Sequence, residues 1–215
     1  MRTVVMNIFS RFLPRCMQTI LQLFRRDNRG VVAVEAALII PIGVFVIIAS
    51  LELYQYFRTT AVVDRTAFLV ANSLSMQREL YGGTDCTLAN SVCTYNKIAS
   101  DLMTPLDYQN NGGMVISLYA VETDDKDENP LWETTPEWSR SYQGDANSRS
   151  LASRLTPSTG FPTAAINDTV IAVEIFYDYT PFAISSAFWQ ALGGEKQIVS
   201  TVFYRPRFSA LRDLK

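Results

Sequence analysis

The chain of 215 residues contains no histidine. Histidine is the usual general base of serine and cysteine hydrolases and the most common neutral metal ligand. Its absence therefore excludes histidine-dependent catalytic triads and most zinc sites. An enzyme with a carboxylate-based or lysine-based site is still an alternative, but no nucleophile motif accompanies such residues. We expect the protein not to be an enzyme, with no catalytic residue and no cofactor.

The acidic cluster at residues 124–129 does not fit a calcium site. In a calcium-binding loop that began at Asp125, Pro130 would stand where glycine is needed. Pro136 would stand where the bidentate glutamate is needed. We interpret the cluster as a solvated loop and predict no metal ligands.

Charge is distributed unevenly along the chain. The first 30 residues contain six arginines, no lysine and one acidic residue, Asp27, which gives a net charge of +5. Because the whole chain has a net charge of −2, residues 31–215 carry −7. A basic start followed by an acidic remainder argues against nucleic acid as a partner and is typical of a cytoplasmic segment before a membrane helix.

A long apolar run, VVAVEAALIIPIGVFVIIASL, occupies residues 31–51, with Glu35 as its only charged residue. About 20 such residues cross a bilayer as a helix. The basic flank Arg25, Arg26 and Arg29 precedes the run, so the positive-inside rule predicts a cytoplasmic N-terminus. A cleaved secretory signal peptide is the alternative. The long basic region, the long apolar run and the lack of a small-x-small site weigh against it.

This topology separates the three cysteines. Cys16 precedes the membrane segment, on the reducing side, whereas Cys86 and Cys93 follow it, in a compartment where disulfides persist. We predict a Cys86–Cys93 disulfide that closes a short loop, and two unpaired buried thiols are the alternative.

Helical spacing continues beyond the apolar run, as a stripe with 4-3-4-3-4 spacing: Tyr56, Thr60, Val63, Ala67, Val70 and Leu74. The pattern predicts one helix from about residue 31 to 80, with Pro41 as a candidate bend and Gly82-Gly83 at its end. The outer half of this helix must pack against the chain's own C-terminal domain, neighbouring subunits, or both.

The sequence after Gly83 is rich in valine, isoleucine, tyrosine and phenylalanine, which favours strands. We predict three strands, Met114–Glu122, Thr169–Tyr179 and Gln197–Tyr204, and an edge strand near Trp138–Tyr142. Short helices are predicted at residues 95–103 and Ser185–Leu192, and a long loop or excursion around the edge strand at residues 123–163.

The predicted fold class is α+β. A long N-terminal membrane-spanning helix continues into a stalk and is followed by a small extracytoplasmic domain with a mainly antiparallel sheet. The predicted divisions are a basic cytoplasmic leader at 1–30, a transmembrane helix at 31–52, a helical stalk at 53–81 and an α+β head at 82–215.

The junction of leader and helix holds the most informative residues. A carboxylate such as Glu35, five residues into a membrane helix, is costly unless it is paired. A free amino group on Val31 would exist if the chain were cut after Gly30, and glycine lets a protease approach the backbone closely. In a helical assembly, Glu35 of one subunit would then meet the new Val31 amine of a neighbouring subunit. The alternative is that Gly30 only marks the helix start and that the Glu35 side chain extends to the membrane–water interface.

The pattern of Gly30, apolar residues and Glu35 at the fifth position resembles the processing site of type IV prepilins. The longer run RG-VVAVEAALIIP is similar to the TadE/TadF-like pseudopilins of tight-adherence (Tad/Flp, type IVc) pilus systems. The segments TVIAVEIFYDYTPF and VSTVFYRPR also resemble the C-terminal strands of that group, and the sizeable head resembles TadF more than TadE. Ala36 departs from the group, where many members have a larger residue, and the leader is long for it.

The resemblance implies a minor pilin or pseudopilin for assembly of Flp-type adhesive pili, cleaved between Gly30 and Val31 by a prepilin peptidase. It implies a bacterial inner-membrane protein with a periplasmic C-terminal domain. Its partners would be the peptidase, other pilins and pseudopilins, the inner-membrane assembly platform and the lipid bilayer. The alternative is an unprocessed single-pass membrane protein with a periplasmic binding or adhesion domain.

Overall fold

The computed structural model of the chain describes residues 29–83, 86–121, 130–143, 152–157, 160–181, 186–191, 193–194 and 196–215. The basic leader before Arg29, including Arg25 and Arg26, lies outside these ranges, as does the acidic cluster at 124–129. The chain divides into two compact units, Met1–Leu51 and Glu52–Lys215.

The first described element is helix α1, Arg29–Ser75, with Pro41 inside it. Its apolar part is long and apolar enough to cross a membrane. Pro41 has no backbone N–H and therefore removes one hydrogen bond from the helical ladder. Valine, isoleucine and alanine dominate the first half, and most of the side chains described there are exposed.

Helix α1 ends at Ser75, earlier than the predicted end near residue 80. The Arg207 N–H donates to the Ser75 carbonyl at 2.9 Å, so the C-terminal segment of the chain binds the last carbonyl of the helix. The last turn also tightens, with the Gln77 N–H donating to the Leu74 carbonyl at 3.0 Å. The prediction that Gly82-Gly83 ends the helix was wrong, because a distant segment supplies the cap.

Helices α2, Val92–Leu102, and α3, Tyr108–Asn111, lead into an antiparallel sheet of four strands in the order β2-β1-β3-β4. The strands are β1 at Gly112–Ala120, β2 at Trp138–Gln143, β3 at Thr169–Asp178 and β4 at Gln197–Tyr204. A short helix α4, Ser186–Ala191, joins the last two. The described elements confirm an α+β class with a small antiparallel sheet.

One face of the sheet packs against the half of helix α1 that belongs to the second unit. The predicted stripe is the buried side of that half, and Val63, Ala67, Val70 and Leu74 are fully or almost fully buried. The strand residues in this core alternate along β3: Ile171, Val173, Ile175 and Tyr177. The outer half of the helix therefore packs against the chain's own C-terminal domain, which was one of the predicted alternatives.

The other face of the sheet carries a smaller core. Tyr119, Val170 and Ala172 are buried there, with Leu155 and Phe161 packed against them. Both central strands are therefore covered on both faces, which explains why β1 is buried at every residue. This double burial also explains the incomplete polar–apolar alternation in the sequences of β1 and β3.

Candidate functional site

The predicted processing site lies at the start of helix α1. Arg29 is the first described helical residue, so the Gly30–Val31 peptide bond lies in the first turn. Backbone N–H groups in the first turn have no partner within the helix. Glycine is also a poor helix former, by about 1 kcal/mol relative to alanine. The predicted cleavage site therefore lies near the start of the described helix.

Glu35 is exposed, and it stands four residues after Val31. Residues at this spacing lie on the same face of a helix, and side chains point toward the N-terminus. Glu35 and the predicted new N-terminus at Val31 are therefore about one helical turn apart. Within the described part of the chain, no ion pair is formed by Glu35.

Exposed apolar side chains begin next to Glu35 and continue along all sides of the helix. They include Val34, Leu38, Ile39, Ile40, Ile42, Val44, Val46, Ile47 and Leu51. Covering one such side chain contributes about 1.5–3 kcal/mol relative to leaving it in water. A continuous exposed surface of this kind marks contact with a membrane or with another protein.

The disulfide Cys86–Cys93 is present, with 5.0 Å between the two Cα atoms. It links the first turn of helix α2, at Cys93, to Cys86 in the segment between helices α1 and α2. Next to it, Tyr81 forms a bridge with Ser91, and the Val92 N–H donates to the Tyr81 carbonyl at 3.0 Å. The bond lies in the second unit.

Two buried carboxylates escaped the sequence reasoning, and the first is Glu52. Its side chain is 0% exposed, and the Tyr179 hydroxyl donates to its Oε1 at 2.5 Å. Tyr179 also contacts the rings of Tyr56 and Trp189. Burial raises the pKa of Tyr179, and the neighbouring Glu52 raises it further.

The predicted membrane helix, residues 31–52, ends at Glu52. One sequence signal could have found it. Glu52 lies four residues before Tyr56 and so extends the buried stripe by one position. An acid on the buried stripe must find a donor in the head, and Tyr179 is that donor.

The second buried carboxylate is Glu174, in the middle of β3 and 1% exposed. Its Oε1 accepts a hydrogen bond from the Arg154 N–H at 3.0 Å, while its Oε2 has no hydrogen-bond partner within the described ranges. Burial raises the pKa of Glu174, and Ser153 and Arg154 offset part of that rise. The sequence signal was a single charge inside the run TVIAVEIFY.

Gly30, Val31 and Glu35 belong to the first unit, and the disulfide and both buried carboxylates to the second. In the residues that the structure describes, no group of three potential metal-ligating side chains occurs. The chain matches no protein-family model, no curated protein and no solved structure.

Proposed function

We propose that the chain is a minor pilin or pseudopilin that takes part in the assembly of Flp-type adhesive pili. A prepilin peptidase processes it between Gly30 and Val31. The observation that carries the proposal is the position of Gly30, Val31 and Glu35 at the start of one long helix, directly before a continuous exposed apolar surface.

Three features support this proposal over an unprocessed membrane protein. The sequence RG-VVAVEAALIIP resembles the processing site and helix start of TadE/TadF-like pseudopilins. Glu35 is exposed, so its carboxylate is accessible to the new amino group of a neighbouring subunit. The first half of helix α1 is apolar on all sides, which suits both a bilayer and the interior of a filament.

The proposed setting is a bacterial inner membrane, with the basic leader in the cytoplasm and the head in the periplasm. The arginines of the leader supply the orientation signal. The partners are the prepilin peptidase, other pilins and pseudopilins, the assembly platform and the lipid. In this proposal the head has a structural role in assembly and performs no reaction.

The first experiment tests processing. A bulky residue in a Gly30→Phe variant should leave the precursor uncut in cells that express the pilus machinery. Gly43→Ala is a matched control in the same helix, because a Cβ at Gly43 meets no atom within 4 Å. The proposal predicts a mobility shift for the wild type and for the Gly43 variant, and none for the Gly30 variant. Equal mobility of all three chains would contradict it.

The second experiment separates assembly from processing. Glu35→Gln removes the charge but keeps the size, so insertion and cleavage should continue. Assembly should fail, because the Val31 amine of a neighbouring subunit loses its counter-charge in a low-dielectric setting. Asp64→Asn is the control, since Asp64 is an exposed acid on the outer half of the same helix. Normal pilus formation by the Glu35 variant would contradict the pairing.

A further inference from the structure

We propose that the part of helix α1 from Leu53 to Arg58 lies in the headgroup layer of a phospholipid bilayer, so that the head rests directly on the membrane surface. These residues belong to the second unit. The proposal rests on the membrane setting of the proposed function, and it does not depend on processing after Gly30.

The exposed side chains of helix α1 change character within one turn, at Phe57 and Arg58. From Ala36 to Phe57 the only charged side chain is Glu52, and it is buried. A protein partner covers a stripe along one side of a helix, whereas a bilayer imposes a boundary across the helix axis. The change at this turn is such a boundary, because three of the five exposed side chains from Arg58 to Phe68 are charged: Arg58, Asp64 and Arg65.

The residues at this boundary suit the headgroup layer. Tyr54 and Phe57 are each 61% exposed, and Arg58 is exposed beside them. Tyrosine is enriched at the membrane–water interface, and the arginine guanidinium binds phosphate groups such as those of lipids. Residues 29–58 measure about 44 Å along a helix, and a bilayer with both headgroup layers is about 40–45 Å thick. The helix therefore has the length that places Arg58 at the lipid surface.

The head contacts helix α1 at the same level. The Tyr179 hydroxyl donates to Oε1 of Glu52, the residue directly after the apolar run that ends at Leu51. Trp189, in the short helix α4, contacts the ring of Tyr56 with 5.3 Å between the centroids. The contacts between head and helix thus begin where the apolar run ends, which places Trp189 close to the lipid headgroups.

A fluorescent label at two matched positions tests the depth. Phe57 and Phe68 lie on the same side of the helix, about 16 Å apart along its axis, and are 61% and 50% exposed. Phe57→Cys and Phe68→Cys are each made in a Cys16→Ser background, where the other two cysteines form the disulfide. Each labelled full chain is reconstituted in phosphatidylcholine vesicles that contain a lipid with a nitroxide quencher near its headgroup.

The label at position 57 should lose most of its emission to the lipid quencher, and the label at position 68 should keep its emission. Two unquenched labels on chains that float with the vesicles would overturn the proposal and leave the proposed function intact. Chains that do not float would contradict both. If both labels were shielded from the lipid quencher and from iodide in the water, a second protein would cover this side of the helix, and the proposal would be wrong.

The native tryptophans report on the head itself. In the unlabelled chain, Trp189→Phe should remove the part of the emission that the lipid quencher lowers, and Trp132→Phe should leave that part unchanged. Trp132 is a matched control because it pairs with Val121, about 30 Å along the strand direction from Gly112, which pairs with Tyr177. A Cys86–Cys93 bond that is protected from alkylation verifies the fold of each variant. Equal quenching of the two variants would overturn the contact between head and lipid.

Discussion

The hydrogen bond between Tyr179 and Glu52 gives a prediction with a defined size. It joins helix α1 to the head in a place without water, since Glu52 is 0% exposed and the two oxygens are 2.5 Å apart. A hydrogen bond to a charged acceptor contributes about 1.5–3 kcal/mol, against about 0.5–1.5 kcal/mol for a neutral one. Tyr179→Phe should therefore lower the free energy of unfolding by about 1.5–3 kcal/mol.

The assay is thermal unfolding of the full chain in micelles, followed by the fluorescence of Trp189 and the other tryptophans. For a chain of this size, 1 kcal/mol corresponds to about 2–4 °C, so the melting temperature should fall by roughly 3–12 °C. The control is Tyr204→Phe, because the Tyr204 hydroxyl has no hydrogen bond among the described residues. In a Glu52→Gln background, Tyr179→Phe should lower the free energy of unfolding by only about 0.5–1.5 kcal/mol, the value for a neutral acceptor. Equal melting temperatures of the Tyr179 and Tyr204 variants would refute the reasoning.

Three further predictions concern the head. Because burial raises the pKa of Glu174 above its ordinary value of 4.5, its protonation favours the folded state at acid pH, and this contribution is lost as the pH rises through the raised pKa. In the Glu174→Gln variant, the free energy of unfolding should decline less steeply as the pH rises from 4.5. Urea titrations at several pH values measure this, and the same pH dependence in the variant and the wild type would contradict the prediction. Reduction of the Cys86–Cys93 bond should lower the free energy of unfolding by about 2–3 kcal/mol, the value for a closed loop of about eight residues. Alkylation of both thiols in the absence of reductant would contradict the bond. Gly112→Ala would place a Cβ 2.2 Å from Cδ2 of the Tyr108 ring and should destabilise the head by about 1–3 kcal/mol, which a melting curve can check.

Local patterns in the sequence were sufficient for most of the secondary structure. Strand β4 matches its predicted bounds, Gln197–Tyr204, because six of its eight residues are β-branched or aromatic and Gly193-Gly194 stands shortly before it. Strand β3 ends at Asp178, one residue before its predicted end. These elements are coded by neighbours in the chain, which is the information that a sequence pattern contains.

Features made by distant residues could not be predicted. The end of helix α1 at Ser75 depends on Arg207, and the pairing order of the strands depends on the whole sheet. The donor for Glu52 is Tyr179, which lies 127 residues away in the chain. The disulfide could be predicted from the sequence because the expected membrane topology set Cys16 apart from the other two cysteines.

The candidate site also contains features that neighbouring residues determine and features that distant residues determine. Gly30, Val31 and Glu35 are close in sequence and share one helix, so their spacing alone predicts how they lie. The position of β4 at the edge of the described sheet became visible only with the strand order, because the sequence of residues 197–204 does not distinguish an edge strand from a central one.

The most direct test of the central claim is the N-terminus of the mature chain. Cells that express the pilus machinery are fractionated, and the N-terminal peptide of the membrane-bound protein is identified by mass spectrometry. The proposed processing predicts a peptide that begins at Val31, with the 30 residues before it removed from the chain of 215. A mature chain that begins before Val31 would contradict the account.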